Sequence, residues 1–148
     1  MIRFPVSRQT RRVLVDSSAN LAVINRRDRN HEAAIAIANW LIAQRYRLYT
    51  TNAMLFESDA LILSQLGIRA ANQFLRGVLR SSTIVVWVRA TDEERARTIL
   101  FRYEDKVSSY NDTLSFAVME RLGIDLAFTF DSDFRQHGWT VATPPSAT

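Results

Sequence analysis

Arg12-Val13-Leu14-Val15-Asp16-Ser17-Ser18 is the stretch on which the fold turns. Its apolar run is too short for a helix and offers no polar face, so it reads as a strand covered on both sides, as in parallel sheets packed between helices. The run ends directly on Asp16, and Ser17 and Ser18 then open a helix through Leu21, Val23 and Ile24. Downstream, a polar loop over 25–30 carries Arg26, Arg27 and Arg29, and Asn30 is placed to cap a helix over 31–44. The apolar stripe of that helix reads as Ala34, Ile35, Ala38, Leu41 and Ile42.

The same alternation continues along the chain. Residues 47–50 read as a second strand, and Thr51 or Asn52 caps an apolar helix that stops before Gly67. An amphipathic helix over 70–80 leads to a third strand over 83–88, rich in β-branched and aromatic residues. Thr91-Asp92-Glu93-Glu94 has the acidic first turn of a helix start. A helix over 112–122 closed by Gly123, a strand over 126–130 and a last strand over 139–142 complete the pattern. Strands alternating with helices or helix pairs specify a mainly parallel sheet between helical layers. No repeat and no linker divides the 148 residues.

Composition narrows the function classes. A hydrophobic fraction of 47% with 4 Gly and 3 Pro describes a globular chain. The absence of Cys excludes disulfides, thiolate zinc sites and thiol nucleophiles, and it fits a reducing cytoplasm. The basic segment over 1–11 lacks the apolar core of a secretory signal, and no apolar run approaches the roughly 18 residues of a membrane span. A cytoplasmic protein with no membrane partner is the expectation. The net charge of +4 is carried almost wholly by arginine, since Lys106 is the only lysine. Guanidinium forks match phosphate geometry, so the surface suits a nucleic acid, although a compositional bias toward arginine explains it equally well.

The acids carry the chemistry. Asp16 and Asp131 each follow a strand, and parallel sheets place their sites beyond the carboxyl ends of strands. Carboxylates gathered at one rim repel unless a cation or proton compensates them, and hard cations such as magnesium or manganese take oxygen ligands. Each acid also has a local reading: Asp16 and Asp112 sit where helix caps belong, and Asp131-Ser132-Asp133 suits a turn. Glu57 has Ala53, Met54, Ala60 and Leu61 as its helical neighbours, which puts it on a face expected to be buried. There it needs a metal, a proton or a core arginine. Asp59 suits a ligand role less well. His31 and His137 read as solvated residues, and Trp40, Trp87 and Trp139 as core.

With the acids placed, the chain resembles the PIN domains, and in detail the VapC toxins. The resemblance rests on Val13-Leu14-Val15-Asp16-Ser17-Ser18 followed by Asn30-His31-Glu32-Ala33-Ala34, on Glu57 in a capped helix, on Ser109-Tyr110-Asn111-Asp112 with Ser115-Phe116-Ala117-Val118-Met119, and on Thr129-Phe130-Asp131-Ser132-Asp133-Phe134. It implies a three-layer α/β/α sandwich with a central mainly parallel sheet, spanning residues 12–142 between a basic N-terminal extension (1–11) and a flexible tail (143–148). It implies a metal-dependent endoribonuclease, with Asp16, Glu57, Asp112 and Asp131 as catalytic and metal-binding acids and Asp133 as a further metal-binding position. Ser17 and Thr129 match supporting hydroxyls. One or two Mg2+ or Mn2+ ions, an RNA substrate, a cognate antitoxin protein and a homodimer belong to the same implication. Arg26, Arg27 and Arg29 are candidate RNA contacts, or a solvated loop.

Two alternatives keep the fold and change the role: a non-catalytic PIN-like module that binds RNA or protein, and an RNA-processing nuclease outside toxin and antitoxin pairs. A haloacid dehalogenase phosphatase fits poorly, because Ser18 stands where that class needs its second aspartate. The helices of the N-terminal half are expected to carry a partner interface, because Met54, Leu55, Phe56, Ile62 and Leu63 exceed what one buried face requires.

Overall fold

The computed structural model describes residues 11–146 of the chain. The N-terminal extension therefore lies, except for Arg11, outside the described residues, as do the last two residues of the tail. Residues 143–146 form neither helix nor strand.

The described residues form β1 (Arg12–Val15), α1 (Ser17–Ile24), α2 (His31–Ala43), β2 (Arg47–Thr51), α3 (Asn52–Leu66), α4 (Ile68–Arg80), β3 (Ile84–Val86), α5 (Ala90–Arg102), α6 (Tyr110–Leu122), β4 (Leu126–Phe128), α7 (Ser132–Gln136) and β5 (Thr140–Val141). The strands make one five-stranded sheet in the order β3-β2-β1-β4-β5, and every pairing is parallel. β1 is the central strand and is buried on both faces, as its uninterrupted apolar run requires.

The period of two along β1 sorts the core. Val13 and Val15 point to one face, where they pack with Ala19 and Ala22 of α1, Ala34, Ile37 and Leu41 of α2, and Phe128. Leu14 points to the other, against Ile99 of α5, Phe116 and Met119 of α6, and Phe134 of α7. Leu21, Leu55, Ile62, Ala71 and Phe74 form a third cluster that joins α1 to α3 and α4. This is the three-layer α/β/α sandwich expected.

Several boundaries differ from the sequence reading, each for a hydrogen-bonding or packing reason. β3 covers three residues rather than six, because the Val88 N–H leaves the ladder and donates to Asn52 Oδ1 at 2.9 Å. Trp87 is consequently 69% exposed and is not core. β4 stops at Phe128 because the next amides turn to side chains: Phe130 N–H donates to Ser18 Oγ and Asp131 N–H to Thr129 Oγ1, both at 3.0 Å. On α2 the buried positions are Ala34, Ile37 and Leu41, while Ile35 and Ile42 face outward. α6 begins at Tyr110, and its cap is Ser109 rather than Asp112.

Candidate active site

Val15 of β1 pairs with Phe128 of β4, so both chains leave the sheet at the same rim. Asp16 follows Val15 immediately, and Asp131 follows Phe128 after a two-residue turn. α6 crosses the same rim with Asp112 in its first turn, and α3 brings Glu57 from the end of β2. Asp16, Glu57, Asp112, Asp131 and Asp133 all line one open cleft of about 390 Å³, together with Ser17 and Ser18. Within it, carboxylate oxygens of Asp112, Asp131 and Asp133 lie within 4.8 Å of one another. Asp133, expected from the sequence only as a further metal-binding position, belongs to this tightest group.

Local capping and convergence on the cleft are compatible roles. Asp16 caps α1 and is buried. Its hydrogen bonds, from the Ser18 N–H at 3.3 Å, the Ser18 hydroxyl and the Thr129 hydroxyl at 2.8 Å, all fall on Oδ2. The other oxygen remains for the cleft. Asp131 caps α7 in the same manner, accepting from the Asp133 N–H through Oδ1 at 3.0 Å. Asp112 caps nothing; its own N–H donates to Ser109 Oγ at 3.0 Å, which fixes the first turn of α6 and leaves the carboxylate to the cleft.

Glu57 is only half-buried, and no arginine among the described residues forms a salt bridge with it. Its Oε2 accepts from the Ser17 hydroxyl at 3.0 Å and from Asn111 Nδ2 at 3.1 Å. Asn111 and Ser18 are the residues that the sequence reading named but gave no role at the site. Ser18 ties the Asp16 carboxylate to the β4 exit through Thr129 and Phe130. Asn111 holds Glu57 while its own Oδ1 is buried without a hydrogen-bond partner among the described residues.

The electrostatics record the crowding. Burial pushes the Asp112 carboxyl up to about 8, reinforced by its hydrogen bond with Asp133 and by the charges of Asp16, Asp131 and Asp133. Burial also raises Asp16, against the opposing hydrogen bonds of Ser18 and Thr129. Asp133 is raised by burial and by neighbouring Asp131. Among the described residues the salt bridges are Arg95 with Glu120 and Arg121 with Asp92, neither of them at the cleft. Five carboxylates thus share one rim with no basic side chain paired to them.

The histidines take no part. His31 Nδ1 lies 2.7 Å from the Ala22 carbonyl, and His137 Nε2 lies 2.9 Å from Ser108 Oγ with its ring against Phe116. Both are half-buried structural residues rather than solvated ones. Of the three loop arginines, Arg29 lines a groove beside the acids, whereas Arg26 and Arg27 line a different cavity with Gln65 and Leu66.

A parallel five-stranded sheet in this order, with an acidic cleft at its central rim, agrees with the family comparison: the PIN domain model matches residues 13–139, and the chain belongs to the PIN-domain family. Within that family it is a member of the VapC toxins. It is 34% identical over 134 residues to the 23S rRNA-specific endonuclease VapC20 of two Mycobacterium tuberculosis strains, CDC 1551 / Oshkosh and H37Rv, with 89% of this chain and 98% of the relative covered. The crystal structure of Mycobacterium tuberculosis VapC20, described as a Sarcin-Ricin loop cleaving toxin, superposes with a TM-score of 0.81 at 32% identity over 89% of this chain and 99% of that one. VapBC2 from Rickettsia felis, bound to a DNA fragment from its promoter, shares the fold with a TM-score of 0.66 at 13% identity over 88% and 96% of the two chains.

Proposed function

We propose that the chain is a magnesium- or manganese-dependent endoribonuclease that acts as the toxin of a toxin and antitoxin pair. The observation that carries this reading is the set of five carboxylates on one rim without a paired cation among the described residues. A donor set made only of oxygens, in which burial and neighbouring charge raise the Asp112 carboxyl, fits a hard divalent ion. Asp112, Asp131 and Asp133 would hold it, with Asp16 completing the set from β1. Bound there, the ion supplies an activated water, neutralisation of the phosphate and stabilisation of the leaving oxygen.

The chain's own residues do the positioning. Ser18 and Thr129 fix Asp16 through one oxygen and so orient the other. Ser17 and Asn111 aim Glu57 across the cleft from the opposite side. The half-buried Glu57 carboxylate is placed to accept a proton from water entering the cleft, and the high proton affinity of Asp112 couples ion binding to proton release.

The substrate proposed is ribosomal RNA, on the strength of what the VapC20 relatives are named for. An antitoxin and a second copy of the chain are the proposed partners. Their support is the outward apolar surface of α3 and α4, where Phe56, Ile68 and Leu79 are each more than 60% exposed. Met54, Leu55 and Ile62, expected to add to that surface, are instead core. No helix among the described residues is long and apolar enough to cross a membrane, and a cytoplasmic site of action is part of the proposal.

The test is incubation of the purified chain with ribosomes and with total RNA, with and without Mg2+ or Mn2+, followed by mapping of the cut ends. Discrete cuts that require the metal support the reading. Binding without cleavage in every metal condition overturns it in favour of a non-catalytic module.

A further inference from the structure

The loop between α1 and α2 presents Arg26, Arg27 and Arg29 within four residues, and the fold separates them. The backbone there is a fixed turn. Asp28 N–H donates to the Asn25 carbonyl at 2.9 Å, Asn30 N–H to the Asp28 carboxylate at 2.8 Å, and His31 N–H to the Asp28 carbonyl at 3.0 Å. Arg26 and Arg27 are directed toward the end of α3, beside Gln65 and Leu66. Arg29 is directed the other way, into a groove of about 680 Å³ walled by Phe130 and Ser132.

That groove is a continuation of the acidic cleft, because Ser18, Leu21 and Asp131 line both. Arg29 is exposed and makes no hydrogen bond or salt bridge among the described residues. A strand of RNA whose reacting phosphate lies over the acids must run on past them, and five carboxylates repel its neighbouring phosphates. A free guanidinium at the mouth of the connected groove offsets that repulsion and offers a two-point fit to a phosphodiester.

We infer that Arg29 binds the RNA phosphodiester adjacent to the one being cut, so that the substrate strand leaves the acidic cleft along the groove between Arg29 and Phe130. Arg26 and Arg27, on the far flank, lie off this path. The inference rests on the endoribonuclease reading. Arg29 is a positioning residue: it sets how tightly and in which register the strand lies, and it does not touch the reacting atoms.

The experiment compares wild type, Arg29→Ala, Arg29→Lys, Arg26→Ala and Arg27→Ala in the full chain. A labelled single-stranded RNA of mixed sequence is titrated without divalent metal, so that no cut occurs, over a series of salt concentrations. Metal-dependent cleavage of ribosomal RNA, the substrate proposed above, is followed in parallel, with thermal melting as the check on folding. Arg29→Ala is expected to lower the magnitude of the salt slope of binding by about 0.7, the loss of one phosphate contact on a single strand. It should also raise KM by roughly tenfold while kcat changes less than about twofold, the signature of lost uniform binding. Arg29→Lys restores most of the slope, since it keeps the charge, and recovers KM only in part. Arg26→Ala and Arg27→Ala leave both near wild type. An unchanged slope for Arg29→Ala, a loss confined to kcat, or equal effects from all three arginines overturns the inference while wild-type cleavage leaves the endoribonuclease reading intact. A wild type that never cleaves removes both.

Discussion

At the residue scale, Asp112 is the acid whose chemistry the fold alters most. Its carboxyl keeps a proton up to about 8, whereas the unfolded chain releases it near 3.8. Between those values the native state binds more protons than the unfolded state, so metal-free stability falls as pH rises through this window. His137, held below 6.5 by burial and by the nearby Lys106 charge, pulls the opposite way at the acid end, so the informative quantity is wild type minus Asp112→Asn. The melting temperature of Asp112→Asn is expected to decline less steeply with pH, to equal or exceed wild type at neutral pH, and to accompany a loss of RNA cleavage by orders of magnitude. Asp92 is the contrasting case. Burial alone would raise its carboxyl, but hydrogen bonds from Arg121 and the Arg89 N–H hold it below 3.8. Its stabilising contribution is therefore present above that value and is lost as pH falls through the lowered one. Arg121→Met leaves Asp92 buried and unpaired. It should cost about 3 kcal/mol in urea unfolding, the lower end for breaking a buried pair because the Arg121 side chain is 23% exposed, with metal-dependent cleavage retained.

At the element scale, the sequence was most legible where period and capping agree. The run Val13-Leu14-Val15 announced a strand covered on both faces, and the Gly123 stop of α6 was legible because only a residue tolerant of left-handed backbone ends a helix there; its φ is 68°. Gly123→Ala meets only Arg12 Nη2, at an ordinary 3.7 Å, so the cost is conformational. About 1 kcal/mol is expected in urea unfolding, since alanine must adopt the left-handed region. Strand ends were illegible. Nothing in Thr83 to Val88 discloses that Asn52 captures the Val88 amide, and nothing in Thr129-Phe130 discloses that Ser18 captures the Phe130 amide. These captures come from residues distant in sequence, and a one-dimensional pattern has no term for them. The same blindness hid Ser18 and Asn111, whose roles exist only as bonds to Asp16 and Glu57. The apolar stripe of α2 was misjudged by one helical step, because Ile35 and Ile37 are equally apolar and only the sheet decides which is covered.

At the scale of the whole molecule, the five acids gather on one rim because parallel strands deliver Asp16, Glu57, Asp131 and Asp133 to it and the first turn of α6 adds Asp112 from outside the sheet. The metal reading makes a global prediction. Saturating Mg2+ or Mn2+ should raise the melting temperature of wild type, and raise that of Asp16→Asn and Asp131→Asn less, because an ion bound only to the native state stabilises it by mass action. Differential scanning fluorimetry with and without each ion checks this, and equal shifts in all variants would place the ion elsewhere. The central pairing of β1 with β4 has one more consequence. Asp16 and Thr129 touch across 113 residues of chain, so the pocket closes only after β4 has been made. While the polypeptide is still emerging from the ribosome, its first strand presents a solitary aspartate with no companions. Assembly of the acidic cleft therefore waits on residues 129–133, however early Asp16 itself is made.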